Sequence, residues 1–272
     1  MRARKIFTVT WKDWIEVRQN RFAIVPMIIV SLVFIVLIPL LFTIILPGLD
    51  MVGEDFVSEM DLEMLFNAMP AVVREEMMGL QPAQAMIVIV LGYLFAPMFL
   101  MLPLMFATII AAESFAGERE RKTIEVLLYT PATEMELFIG KVMAAFLPAM
   151  GLTWACFILY ILILNLGPYS LFGRIWFPLP AWWPLIFWMA PALVLLGICV
   201  SVLISSKVQT FMGAYQTSSS VVLLVVVLFV GQISGVLYLS VGIVLLLGLF
   251  VWMLAGIIFY FAVQTFNRQK LL

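Results

Sequence analysis

A chain of 272 residues that is 65% apolar and only 11% charged, with mean hydropathy +1.16, is excluded from the ordinary soluble class, because a water-facing surface calls for about 25% charged residues. The formal net charge of −1 points to no particular partner, nucleic acid included. The complete lack of histidine removes serine–histidine catalysis and histidine-ligated zinc.

Residues 1–21 form the first predicted element. Phe7, Trp11, Trp14 and Ile15 recur at i, i+4, i+7 and i+8, with Lys5, Lys12, Asp13 and Arg18 largely elsewhere. One apolar face with two tryptophans, among basic residues, suits a helix lying in the headgroup region. Apolar stretches follow at 22–46, 85–112, 142–166, 184–205, 211–231 and 236–263, each long enough for the roughly 20 residues a bilayer core requires. The first is too long for the apolar core of a cleavable signal, and no small-residue cleavage site follows it. The expected fold is an all-α membrane protein: six transmembrane helices, an N-terminal interfacial helix and no linker, so that 1–272 forms a single domain.

Basic residues gather before the first span (Arg2, Arg4, Lys5, Lys12, Arg18, Arg21), between spans two and three (Arg119, Arg121, Lys122, Lys141), at Lys207, and in the tail (Arg268, Lys270). Only Arg74 and Arg174 fall on the other side. The positive-inside rule then predicts that both termini face the cytoplasm. The outer segment 47–84 is acidic from Asp50 to Glu76, and Pro70 and Gly79 divide it into two short predicted helices. Its solvated surface is the ordinary reading; concentrating cations is the alternative. Cys156 and Cys199 lie at different depths, about 21 Å and about 9 Å from the cytoplasmic ends of their spans at the helical rise, so they should remain unpaired packing residues. Pro39, Pro97, Pro103, Pro148 and Pro191 lie within spans, where kinks are expected.

Ionisable groups are almost missing from the spans; Glu113, at the end of the second, comes closest. Coupled carriers place such groups at mid-depth, so self-powered transport is disfavoured. The fifth span opens with a polar run that includes Gln216, Thr217 and Ser220. These residues share a side of the helix and read either as interhelical glue or as a wall of a translocation path. No phosphate loop is present: Gly140-Lys141 is preceded by Met135 where the first glycine of G-x-x-x-x-G-K would stand. ATP hydrolysis by this chain, and any cofactor held by it, is therefore not expected.

The segment 113–141 is the most informative. Ile124, Leu127 and Leu128 share a helical face, with Glu118, Arg121, Lys122 and Glu125 on the others. Such a helix, charged outwards, can dock in a partner's groove. Alternatively it is a solvated connector, with pairs such as Glu118–Lys122 and Arg121–Glu125. A turn at 129–132 ends it, and Thr133 with Glu136 predicts a capping box that starts the next helix.

The residues Glu113, Gly117-Glu118, Lys122-Thr123, Glu125, Leu127-Leu128, Pro131 and Gly140-Lys141 resemble the signature of ABC-2 type transporter permeases. The likeness extends to the interfacial helix and the six spans, and the large outer segment is similar to the sodium-efflux branch. The resemblance implies the membrane subunit of an ATP-binding cassette exporter in the cell membrane of a prokaryote. It further implies pairing with a second copy or a paralogous permease, and a separate cytoplasmic ATPase that carries ATP and Mg. The helix around 118–128 would be the coupling helix. Relatives that transmit force to other membrane proteins, and an ATP-independent channel or carrier, are the competing readings.

Overall fold

A computed structural model describes residues 3–45, 74, 77, 79–121, 133–208, 210–234 and 237–265. All regular elements among them are helical. Helix α1 covers Ala3–Gln19. Six further helices are long and apolar enough to cross a membrane: α2 (Ile24–Thr43), α3 (Ala83–Glu120), α4 (Glu134–Leu166), α5 (Trp182–Ser205), α6 (Phe211–Ile233) and α7 (Val241–Thr265). The outer segment 47–84 and the core of the coupling segment, 122–132, lie almost wholly outside the described residues. Lys122, Thr123, Glu125, Leu127, Leu128 and Pro131 are therefore not placed.

Helices α3 and α5 form the buried centre, and the other four spans surround them. A continuous apolar cluster joins residues of all six, from Ile35 through Phe99, Phe157, Leu193 and Val225 to Val251. The outward surfaces of α4, α6 and α7 carry Ile158, Val227 and Leu246, each more than half exposed. In lipid such residues need no cover, since acyl chains are as apolar as leucine. At 38 and 33 residues, α3 and α4 measure roughly 57 and 50 Å at the helical rise, against a hydrocarbon core of about 30 Å. Both must project beyond it. The sequence pattern ended α3 at 112 and began α4 at 142, because charges interrupt the apolar run there; the helices in fact continue through those charges.

Several turns widen to the i→i+5 pattern, in α2 at Val33–Leu37 and Leu41–Ile45, in α3 at Val88–Leu94 and Glu113–Gly117, and in α5 at Leu185–Met189. Pro39 and Pro191 border such turns, whereas Pro148 leaves Glu134–Leu166 unbroken. Pro97 has a specific consequence. It offers no N–H to the carbonyls one turn earlier, and those carbonyls accept from side chains of other helices instead: Trp182 Nε1 to Gly92 O at 2.7 Å and Gln232 Nε2 to Tyr93 O at 2.8 Å. Tyr160 Oη donates to Leu91 O at 2.8 Å in the same turn. The uncharged end of α3 is thus tied to α4, α5 and α6 by neutral hydrogen bonds. Cys156 and Cys199 are both buried and unpaired, as their depths required.

Candidate functional site at the charged end of the bundle

Helix α1 turns its aromatic face outward: Phe7 and Trp11 are exposed, and Trp14 and Ile15 partly so. The opposite face, built from Ile6, Val9, Thr10, Asp13 and Val17, packs against the bundle. Gly140 in α4 allows this approach, since a Cβ there would lie 2.9 Å from Val9 Cβ. Thr10 Oγ1 donates to Gly140 O at 2.9 Å across the contact.

That contact places a charge cluster inside the protein. Lys141 is fully buried, and its Nζ lies 2.7 Å from Glu118 Oε2 and 3.3 Å from Asp13 Oδ2, while donating to Ser114 O at 2.6 Å. Ser114 Oγ donates to Asp13 Oδ2. Lys141 also stands over the Phe115 ring, 5.4 Å from its centroid. Asp13 and Glu118 are each 1% exposed. Charges this deep persist only when paired and hydrogen-bonded, which the cluster achieves with two cations for two acids. The second cation is Lys12, 2.6 Å from Glu118 Oε1, 3.4 Å from Asp13 Oδ1 and 3.2 Å from Glu16 Oε1. Burial lowers the Lys12 pKa, but Glu118, Asp13 and Glu16 together raise it further, so the net shift is upward. The carboxylates of Asp13, Glu16 and Glu118 converge closely enough to hold a divalent cation; the Lys12 ammonium sits in that position.

A second pair flanks the first. Arg121 donates to Glu113 Oε1 at 2.8 Å and reaches Glu16 at 4.0 Å. Burial lowers the guanidinium pKa and the surrounding acids raise it more, leaving it above its ordinary value. Gly117 makes room for the Glu113 carboxylate, since a Cβ there would come within 3.1 Å of Oε2. The widened turn Glu113–Gly117 brings both Glu113 and Ser114 inward.

The last turn of α3 reaches every neighbouring element except α2 and α7 through consecutive residues. Glu118 holds α4 and α1 as above. Arg119 Nη1 donates to Ser205 O at 2.7 Å and Ser206 O at 3.0 Å, at the C-terminus of α5, where a cation also suits the helix dipole. Glu120 Oε2 accepts from Phe211 N at 2.7 Å, at the first residue of α6. Helix α4 begins with the predicted capping box: Thr133 Oγ1 accepts from Glu136 N at 3.2 Å, and Glu136 Oε2 accepts from Thr133 N at 3.1 Å.

Among the residues singled out from sequence, the structure brings Glu113, Gly117, Glu118, Gly140 and Lys141 together. Glu118 faces inward, not outward as the simple helical pattern suggested, because Lys141 and Lys12 lie on that side. Asp13, Ser114, Arg119 and Glu120 were not singled out. An acid at i+7 from Ile6 and i+4 from Val9, on the less conspicuous face of α1, was the available signal for Asp13. Gln216, Thr217 and Ser220 all lie on the outer surface of α6. Thr217 and Ser220 donate to Gly213 O and Thr217 O of their own helix, the usual way for hydroxyls to satisfy themselves in an apolar setting.

The fold and this charged node define a polytopic helical membrane protein whose second span is bound at its charged end to helices on several sides. A family model for ABC-2 family transporter proteins matches residues 7–268, and the chain belongs to that family, the membrane permeases of ABC systems. No curated protein sequence matches the chain significantly.

Proposed function

We propose that this chain is the permease subunit of an ATP-driven exporter, working as a pair with a second copy or a paralogous permease and driven by a separate cytoplasmic ATPase that holds ATP and Mg. Both termini face the cytoplasm, where positive charge is densest, in the cell membrane of a prokaryote. The segment 122–132 receives the stroke of the ATPase, with Glu125 and the face of Ile124, Leu127 and Leu128 meeting the partner. The observation that carries this reading is the last turn of α3, which immediately precedes that segment. A push delivered at Lys122 meets Glu118, Arg119 and Glu120, and through them α1, α4, α5 and α6 together. A plain connector would need no such convergence of charged contacts. Glu113, Gly117, Gly140 and Lys141 serve as positioning residues that hold this turn against α1 and α4.

Gln216 supports transport as the output. Its amide is exposed and has no hydrogen-bond partner among the described residues, a costly arrangement against acyl chains. A second permease or a water-lined path would satisfy it.

The test is reconstitution of the permease with an ABC ATPase that co-purifies with it. The permease alone should not hydrolyse ATP, and the complex should. Glu125→Ala should weaken partner binding or coupled turnover while insertion survives. Arg119→Ala should lower coupled turnover without releasing the ATPase. Wild-type partner affinity and turnover in both variants would refute the assignment, as would robust hydrolysis by the permease with no partner present.

A further inference from the structure

A cavity of about 430 Å³ lies between α2 and α4, with Phe106 of α3 at its back. Ile24, Ile28, Ser31 and Ile35 line it along α2, and Ala155 and Leu159 along α4. Its rim is open to the outside of the bundle, where Ile28 is 58% and Leu32 54% exposed. The lining is hydrocarbon apart from Ser31 and Cys156, and the Ser31 hydroxyl is already engaged with Met27 O at 2.6 Å. Nothing in it can hold water or an ion, because a buried water needs two to four polar partners.

The groove extends from Ile24 to Ile35, roughly 16 Å at the helical rise. A volume of about 430 Å³ over that length suits one acyl chain; a transmembrane helix, about 10 Å across with its side chains, would fill about three times as much. Its walls are also mainly large branched residues, unlike the small-residue surfaces through which membrane helices pair closely. The helical turns of α2 start at Arg21, which stands at i−3 from Ile24 and i−7 from Ile28, on the same stripe one turn beyond the groove. Arg18 is close by in sequence at the end of α1. Both arginines are exposed and neither has an ion-pair partner among the described residues. Basic side chains above an apolar slot between spans match an anionic lipid headgroup above its own chain.

We propose that this groove is a binding site for a single anionic phospholipid, with one acyl chain between α2 and α4 and the phosphate held by Arg21 and Arg18 where α1 meets α2. The site is independent of what the protein transports. It makes the α1–α2 junction, and hence the position of Asp13 and Lys12, responsive to the lipid composition of that leaflet.

Native mass spectrometry of the delipidated full chain tests this with phosphatidylglycerol and phosphatidylcholine of matched chains. One phosphatidylglycerol should bind more tightly than phosphatidylcholine, and glycerol phosphate alone should not bind. Arg21→Ala should weaken phosphatidylglycerol about fivefold, the factor for one basic residue near an anionic surface, and leave phosphatidylcholine unchanged. Ala155→Leu and Ala155→Phe fill the groove and should remove retention of both lipids; either variant serves if it elutes like wild type. Equal affinity for the two lipids with no effect of Arg21→Ala overturns the headgroup assignment. Undiminished retention in a well-folded groove-filling variant overturns the groove. A cargo site would instead bind uncharged hydrophobic compounds as tightly as the lipid and be indifferent to Arg21.

Discussion

The two ends of α3 are held by different chemistry. At the uncharged end Tyr160, Trp182 and Gln232 each donate to a main-chain carbonyl of α3. Each of these bonds joins two uncharged groups. At the charged end the partners are shared: Glu118 lies between Lys12 and Lys141, Asp13 contacts the same two lysines, and Arg121 reaches both Glu113 and Glu16. A neutral bond to a carbonyl fixes position at modest energy. A shared set of charges tolerates displacement, because a cation leaving one acid is still beside another, and no buried charge is stranded. One end of α3 is built as an anchor and the other as a node that can re-pair.

The sharpest way to break this contrast is at Lys141. Lys141→Met leaves Asp13 and Glu118 to Lys12 alone, and should cost about 3–5 kcal/mol, the range for removing one partner of a buried ion pair. The measurement is thermal unfolding of the purified protein in one fixed detergent. Adding Asp13→Asn restores neutrality and should recover a measurable part of that loss, a coupling of about 0.5–3 kcal/mol. If the single and double variants differ only additively, the cluster is not a shared network.

The neutral end should respond less. Tyr160→Phe removes one hydrogen bond without a charge and should lower stability by about 0.5–1.5 kcal/mol, with no dependence on salt. Equal losses from Tyr160→Phe and Lys141→Met would erase the distinction between the two ends.

The most salt-sensitive effect should come from Arg121, which is nearly half exposed although its partner Glu113 is buried. Arg121→Gln keeps an amide N–H for the Glu113 carboxylate, so its loss should stay below that of Lys141→Met, and added salt should mask part of it by screening. A larger, salt-independent loss would mean that the Glu113 pair is sealed from solvent as thoroughly as Lys141.

Much of this was legible along the chain. Apolar runs of sufficient length determine six spanning helices, since the bilayer demands about 20 such residues whatever their neighbours. Thr133 and Glu136 specify the start of α4, because a capping box closes within four residues. The aromatic face of α1 follows from its periodicity alone. The motif residues Gly117, Glu118, Gly140 and Lys141 stand out as a resemblance, but their spacing says nothing of what they touch. Only the tertiary structure decided that Gly140 admits α1, that Gly117 clears space for Glu113, and that Lys141 is a buried counter-ion to an aspartate 128 residues away. It likewise turned Glu118 from the outer surface to the inner one. Local pattern sets which face of a helix is apolar; which face is covered, and by which charge, depends on the helix packed against it, and that information lies elsewhere in the chain.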